Sequence, residues 1–104
     1  MAVKPVPEGY HTITPFFSVP DAKKLIEFLQ QAFHAEVFEK METPDGIVRH
    51  CELKIGDSFV MMGQAPNDPS YKLLQAMLYM YVPDVDVVYK RAIQAGGKSI
   101  MEPV

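Results

Sequence analysis

The chain has 104 residues, 48% of them hydrophobic, and ten Lys and Arg against thirteen Asp and Glu leave a net charge of −3. That length makes one domain, able to bury about 65% of its unfolded surface in a core of its own. The basic residues are few and dispersed, which argues against a partner made of nucleic acid, and no apolar run approaches the roughly 20 residues of a membrane span.

The opening "MAVKPVPEGYH" lacks the hydrophobic segment of a secretory signal. The single cysteine, Cys51, cannot form an internal disulfide, which suits a reducing compartment, so a cytoplasmic protein is expected. Seven Met and six Phe with five Tyr and no Trp suggest an adaptable apolar interior.

In chain order, the Pro- and Gly-broken first ten residues read as an extended arm. Residues 12–19 read as a strand, with Pro15 hinting at an edge or bulge. Pro20 stops it and Asp21 is a good helix N-cap. Ala22, Leu25, Ile26, Leu29 and Phe33 then fall on one stripe at helical spacing. His34 stands where a C-terminal cap calls for positive φ and is read as structural. A strand follows over 36–42, and Thr43–Gly46 (TPDG) has the chemistry of a tight reversal. Residues 47–55 and 58–63 read as a hairpin closed by Gly56-Asp57. After a polar connector, residues 75–82 read as another strand. Asp84 caps a second helix that runs to about Ala95 and ends at Gly96 and Gly97, and a last strand starts near Ser99.

The two halves of this order overlay. Asp21 and Asp84 stand 63 positions apart, and the same offset carries the first helical stripe onto Val85, Val88, Tyr89, Ala92 and Gly96. Pro20 lands on Pro83, Ala32 on Ala95 and Val37 on Ile100. Strand, cap, stripe and helix end coincide, so the chain reads as a repeated β-α-β unit whose first copy continues into two further strands.

With this repeat, and with "TPFFSVPDAKKLIEFLQQAFHAE" and "VRHCELKIGDSFVMM", the sequence resembles the glyoxalase/bleomycin-resistance/extradiol-dioxygenase superfamily. Within it, the resemblance is to small bacterial glyoxalase-like proteins. The resemblance implies an α+β domain of paired β-α-β-β-β modules, the vicinal oxygen chelate fold. Residues 1–104 would form one such domain, with module one over about 12–63 and a partial module two over about 75–104. The second module lacks room for its last strands. The expectation is that the sequence is part of a longer one, with completion by a partner subunit or an open cavity as the competing explanations.

In metal-dependent members, ligands lie at the starts of the first and fifth strands, late in the fourth, and in the eighth. Carried onto this chain, those positions hold Thr14, Met77 and Met61, with no eighth strand present. A hydroxyl and two thioethers are poor ligands for a hard or borderline cation, so no metal and no cofactor are expected. His50 and Glu52, two apart in one strand, share a face and are the weak catalytic candidates, with a polar cross-strand pair as the blander reading. Cys51 points the other way, as a small buried residue, and His11 has the wrong strand parity to join a site.

What remains on the concave face is Thr14, Phe16, Phe59, Met61, Met77, Tyr79 and Tyr81. This row suits a flat or apolar small ligand, or else plain packing. The leading expectation is therefore a metal-free member that binds or sequesters a small apolar or aromatic molecule and works as a homodimer. The alternatives are a metal-dependent lyase, isomerase or dioxygenase, and a module that associates through exposed sheet edges.

Overall fold

The computed structural model describes residues 4–103. Its elements are β1 (Phe16–Val19), α1 (Ala22–Phe33), β2 (Glu36–Glu42), β3 (Val48–Ile55), β4 (Ser58–Gln64) and α2 (Val85–Gln94). The four strands form one sheet in the order β1-β4-β3-β2. β1 runs parallel to β4, whereas β3 is antiparallel to both β2 and β4. This is the expected α+β class, with one complete β-α-β-β-β unit.

Local chemistry explains the element ends. Asp21 accepts from the Lys24 backbone N–H at 3.1 Å and so caps α1. His34 closes the helix in the left-handed region at φ 54°, its N–H donating to the Gln30 and Leu29 carbonyls. The Thr43–Gly46 reversal is tied by the Gly46 N–H donating to the Thr43 carbonyl at 2.9 Å, with Gly46 at φ 87°.

The core lies between α1 and one face of the sheet. Ala22, Ile26 and Leu29 from the helix meet Val48, Cys51 and Leu53 of β3 and Val60 and Met62 of β4, all buried. This is the stripe expected for the helix, with Leu25 and Phe33 only partly buried at its margin. Cys51 is fully buried, and that burial pushes its thiol up from the ordinary value. α2 packs beside α1. The Arg91 Nε–H donates to the Ala32 carbonyl at 3.1 Å, and the Gly97 N–H donates to the Ala92 carbonyl at 2.8 Å to end the helix.

Three expectations need correction. The first strand begins at Phe16 rather than at residue 12, because Pro15 has no N–H for the ladder and contributes only its carbonyl, which accepts from Met61. Residues 75–82 form no strand, and none forms near Ser99. β1 draws all its ladder bonds from β4, and residues 75–82 have no equivalent neighbour among the described residues. A run of apolar residues alone cannot satisfy a strand's backbone. In the second half of the chain the expected capped helix forms and the expected strands do not: Asp84 accepts from the Asp86 and Val87 N–H groups at the start of α2.

Gly63 is where the sheet tolerates no side chain. A Cβ there would lie 2.4 Å from the backbone carbonyl oxygen of Arg49. Gly63→Ala is expected to destabilise the protein by about 1–3 kcal/mol through overpacking against backbone that cannot move aside. Urea unfolding checks this; an unchanged midpoint would mean that β3 and β4 sit further apart at this point.

Candidate functional site

The face of the sheet turned away from α1 carries the chemistry. Cross-strand pairing lines up one row across all four strands: Phe16 opposite Met61, Met61 opposite Glu52, and Glu52 opposite Glu39. His50 follows on the same side of β3, opposite Met41. The period of two that buries Cys51 and Leu53 is what turns His50, Glu52 and Lys54 to this open side.

His50 and Glu52, read together from the sequence, do meet: His50 Nε2 lies 3.2 Å from Glu52 Oε2. The structure adds a partner that the sequence reading left in the arm. The Tyr10 hydroxyl donates to Glu52 Oε1, and the Tyr10 ring stacks on Phe59 with centroids 4.1 Å apart and planes 14° from parallel. Phe38 meets Phe59 edge-on at 4.9 Å. The Lys54 ammonium lies 5.7 Å from the Phe59 centroid and 6.0 Å from that of Phe38, within cation–π range.

These contacts set the ionisation. The Tyr10 hydrogen bond, foremost, holds the Glu52 carboxyl below its ordinary value; burial opposes the shift and the His50 contact reinforces it. Burial, and then the bond to Glu52, pushes the Tyr10 phenol up to about 12. The phenol thus stays a donor and the carboxylate an acceptor across the neutral range. Glu52's share of stability is present above the ordinary carboxylate pKa and is lost as pH falls through its depressed value. Tyr10's share is present below the ordinary phenol pKa and is lost as pH rises through about 12.

The seven nominated ligand-face residues divide among separate spaces. Thr14, Phe59, Tyr79 and Tyr81 line one cavity of about 470 Å³, together with His11 and Leu78. Thr14 and Met61 also border a second, of about 480 Å³, with Tyr10, Glu39 and Glu52. Phe16 lies instead along a cavity of about 780 Å³ bounded by Leu25, Leu29 and residues 71–76. Met77, at 93% exposure, stands away from all three linings. Among the described residues, no three His, Cys, Asp or Glu side chains gather as a metal site. Of Thr14, Met61 and Met77, only Thr14 and Met61 border a common cavity, and a hydroxyl with a thioether does not fit a hard cation.

Residues 10–104 match the family model described as Glyoxalase/Bleomycin resistance protein/Dioxygenase superfamily, and the chain belongs to that superfamily. It is 29% identical over 94 residues to Uncharacterized protein Mb0911c of Mycobacterium bovis, an alignment covering 82% of this chain and 62% of the relative. The chain therefore spans under two thirds of that relative's length. Its fold is similar to that of the At5g48480 gene product of Arabidopsis thaliana, with a TM-score of 0.71 at 13% identity over 90% of this chain and 80% of the other. It is also similar to the Fosfomycin Resistance Protein FosX of Mesorhizobium loti, with a TM-score of 0.58 at 18% identity over 83% and 70%. Among the described residues, no helix is long and apolar enough to cross a membrane.

The Tyr10–Glu52 bond can be tested by titration. Tyrosinate absorbance is expected to show a step near pH 12, which moves lower in Glu52→Gln and disappears in Tyr10→Phe. A titration unaffected by Glu52→Gln would contradict the pairing.

Proposed function

We propose that this protein binds a small apolar or aromatic molecule on the open side of its sheet, without a metal ion. The observation that carries this reading is the convergence of Thr14, Phe59, Tyr79 and Tyr81 on one cavity of about 470 Å³. That volume falls within the range of small-molecule sites, and its lining joins aromatic surface to a few hydroxyls that can orient a ligand. Tyr79 and Tyr81 stand 85% and 93% exposed, with ring centroids 5.3 Å apart. A flat ligand would cover surface that now faces water, at roughly 25 cal/mol per Å² of apolar area removed. Membership of a superfamily whose name includes a drug-resistance protein is in keeping with such binding.

A metal-dependent lyase, isomerase or dioxygenase would draw on His50 and Glu52, and among the described residues these two gather no third His, Cys, Asp or Glu for a metal site. Association has support of its own. Leu74, Met77, Tyr79, Tyr81, Ile100 and Met101 are all exposed apolar residues, and β2 is an edge strand without a buried residue. Such surface suits pairing with a second copy, so the binding protein is proposed to act as a homodimer. The lone, buried cysteine fits a cytoplasmic setting.

A naphthalene-class fluorescent probe is expected to raise the melting temperature in proportion to the logarithm of its concentration. Tyr79→Ala combined with Tyr81→Ala is expected to weaken that binding about tenfold, the loss of about 1.4 kcal/mol of contact. A response unchanged in the double variant would place the site elsewhere. Elemental analysis of protein purified without chelator checks the metal-free reading, which stoichiometric bound metal would overturn.

A further inference from the structure

The arm residue Tyr10 is held in the manner of a ligand. Its ring lies flat on Phe59, which Phe38 in turn meets edge-on. Lys54 places its ammonium over the aromatic pair. The Tyr10 hydroxyl is received by one oxygen of Glu52, while His50 holds the other oxygen at 3.2 Å. The features that recognise a phenol are thus present: a flat aromatic platform, itself held by Phe38, and a carboxylate fixed in place to accept one O–H.

The segment carrying the ring is a turn that lies outside the sheet ladder. The Tyr10 N–H turns back onto the Pro7 carbonyl at 3.0 Å, and Gly9 takes φ 85°, a conformation that a side chain would resist. Residues 4–14 lie outside the strands, and the first tie to β4 is the Pro15 carbonyl accepting from Met61. Beside the ring, the arm and sheet enclose the cavity of about 480 Å³, onto which Tyr10 and Glu52 both open. A one-ring molecule therefore has a route to the place that Tyr10 fills.

We infer that the Phe38–Phe59–Glu52 cage is a binding site for a neutral phenol-type ligand, a flat ring bearing one hydroxyl donor, and that Tyr10 occupies it as a built-in competitor until such a ligand displaces it. This deepens the reading of the open face as a small-molecule site and rests on it, while assigning the ligand's polar anchor to Glu52. The Tyr10 phenol keeps its proton up to about pH 12, so the cage selects the protonated hydroxyl. The arm's occupancy lowers the apparent affinity of any external ring by the fraction of time the cage is filled.

The test uses 4-methylphenol, which carries the functional part of the tyrosine side chain, with toluene as the partner lacking the hydroxyl. Followed by NMR on the full chain, 4-methylphenol is expected to bind saturably to the wild-type protein. It should give contacts to Phe38 and Phe59 while the Tyr10 ring signals move to those of a free side chain. Tyr10→Ala should tighten its binding about tenfold or more, and Tyr10→Phe, which keeps the ring and loses the hydrogen bond, by a smaller factor. Glu52→Gln should remove the preference for 4-methylphenol over toluene. Should Tyr10→Ala fail to fold, Tyr10→Phe alone decides the direction. No saturable binding to the wild-type protein, equal affinity for toluene, or binding no tighter in Tyr10→Phe would each overturn the inference. Binding that survives in Tyr79→Ala/Tyr81→Ala but is changed by Glu52→Gln separates this cage from the neighbouring cavity. Loss in both sets would trace the failure to the open face as a whole.

Discussion

One helix covering one face of a four-stranded sheet organises everything else in the molecule. Ile26 and Leu29 of α1 press onto Cys51, Leu53, Val60 and Met62, and the main buried cluster lies on that side. Strand periodicity then leaves no choice for the residues between them: Glu52, His50, Lys54 and Met61 must face the other way. A register slip of one residue would drive two charged side chains into the core and bring the hydrophobic set into water, so the packing under α1 is what fixes the site's composition. Folding energy and function are divided by a single alternation.

On the open side, polar groups are satisfied without help from α1. The carboxylate of Glu52 is partnered on both oxygens, by a phenol and an imidazole, so a charge in a partly apolar setting does not incur the full cost of desolvation. Stacking of Tyr10 on Phe59 brings that phenol from the arm.

Much of this was legible in the sequence, and the limits have physical causes. The first helix, its Asp21 cap, its positive-φ end at His34, the reversal at Gly46 and the His50–Glu52 pairing all follow from local rules that involve few residues. The start of β1 was less legible, since a proline's missing N–H shortens a strand by an amount that depends on its neighbour. Residues 75–82 are an apolar run of strand length, yet pairing is non-local and no described neighbour supplies the ladder. The ligand face depended on it in part: Met77 was grouped with Tyr79 and Tyr81 through a strand over 75–82, and it stands apart from their cavity, whereas Phe16, placed by the parity of the first strand, does lie opposite Met61. Tyr10 was missed for a different reason. It sits in a Pro- and Gly-broken arm with no periodicity, and only the folded chain shows that its ring reaches 42 positions along the sequence to Glu52.

The adjacent residues Met61 and Met62 report on the two faces separately. Met62 is fully buried under α1, whereas Met61 borders the open-side cavity with Tyr10 and Glu52. With methyl-labelled methionine, an aromatic compound that binds this protein should shift the Met61 methyl resonance by its ring current and leave that of Met62 in place. A shift confined to Met62, or binding that moves neither methyl, would contradict a ligand site on the uncovered face.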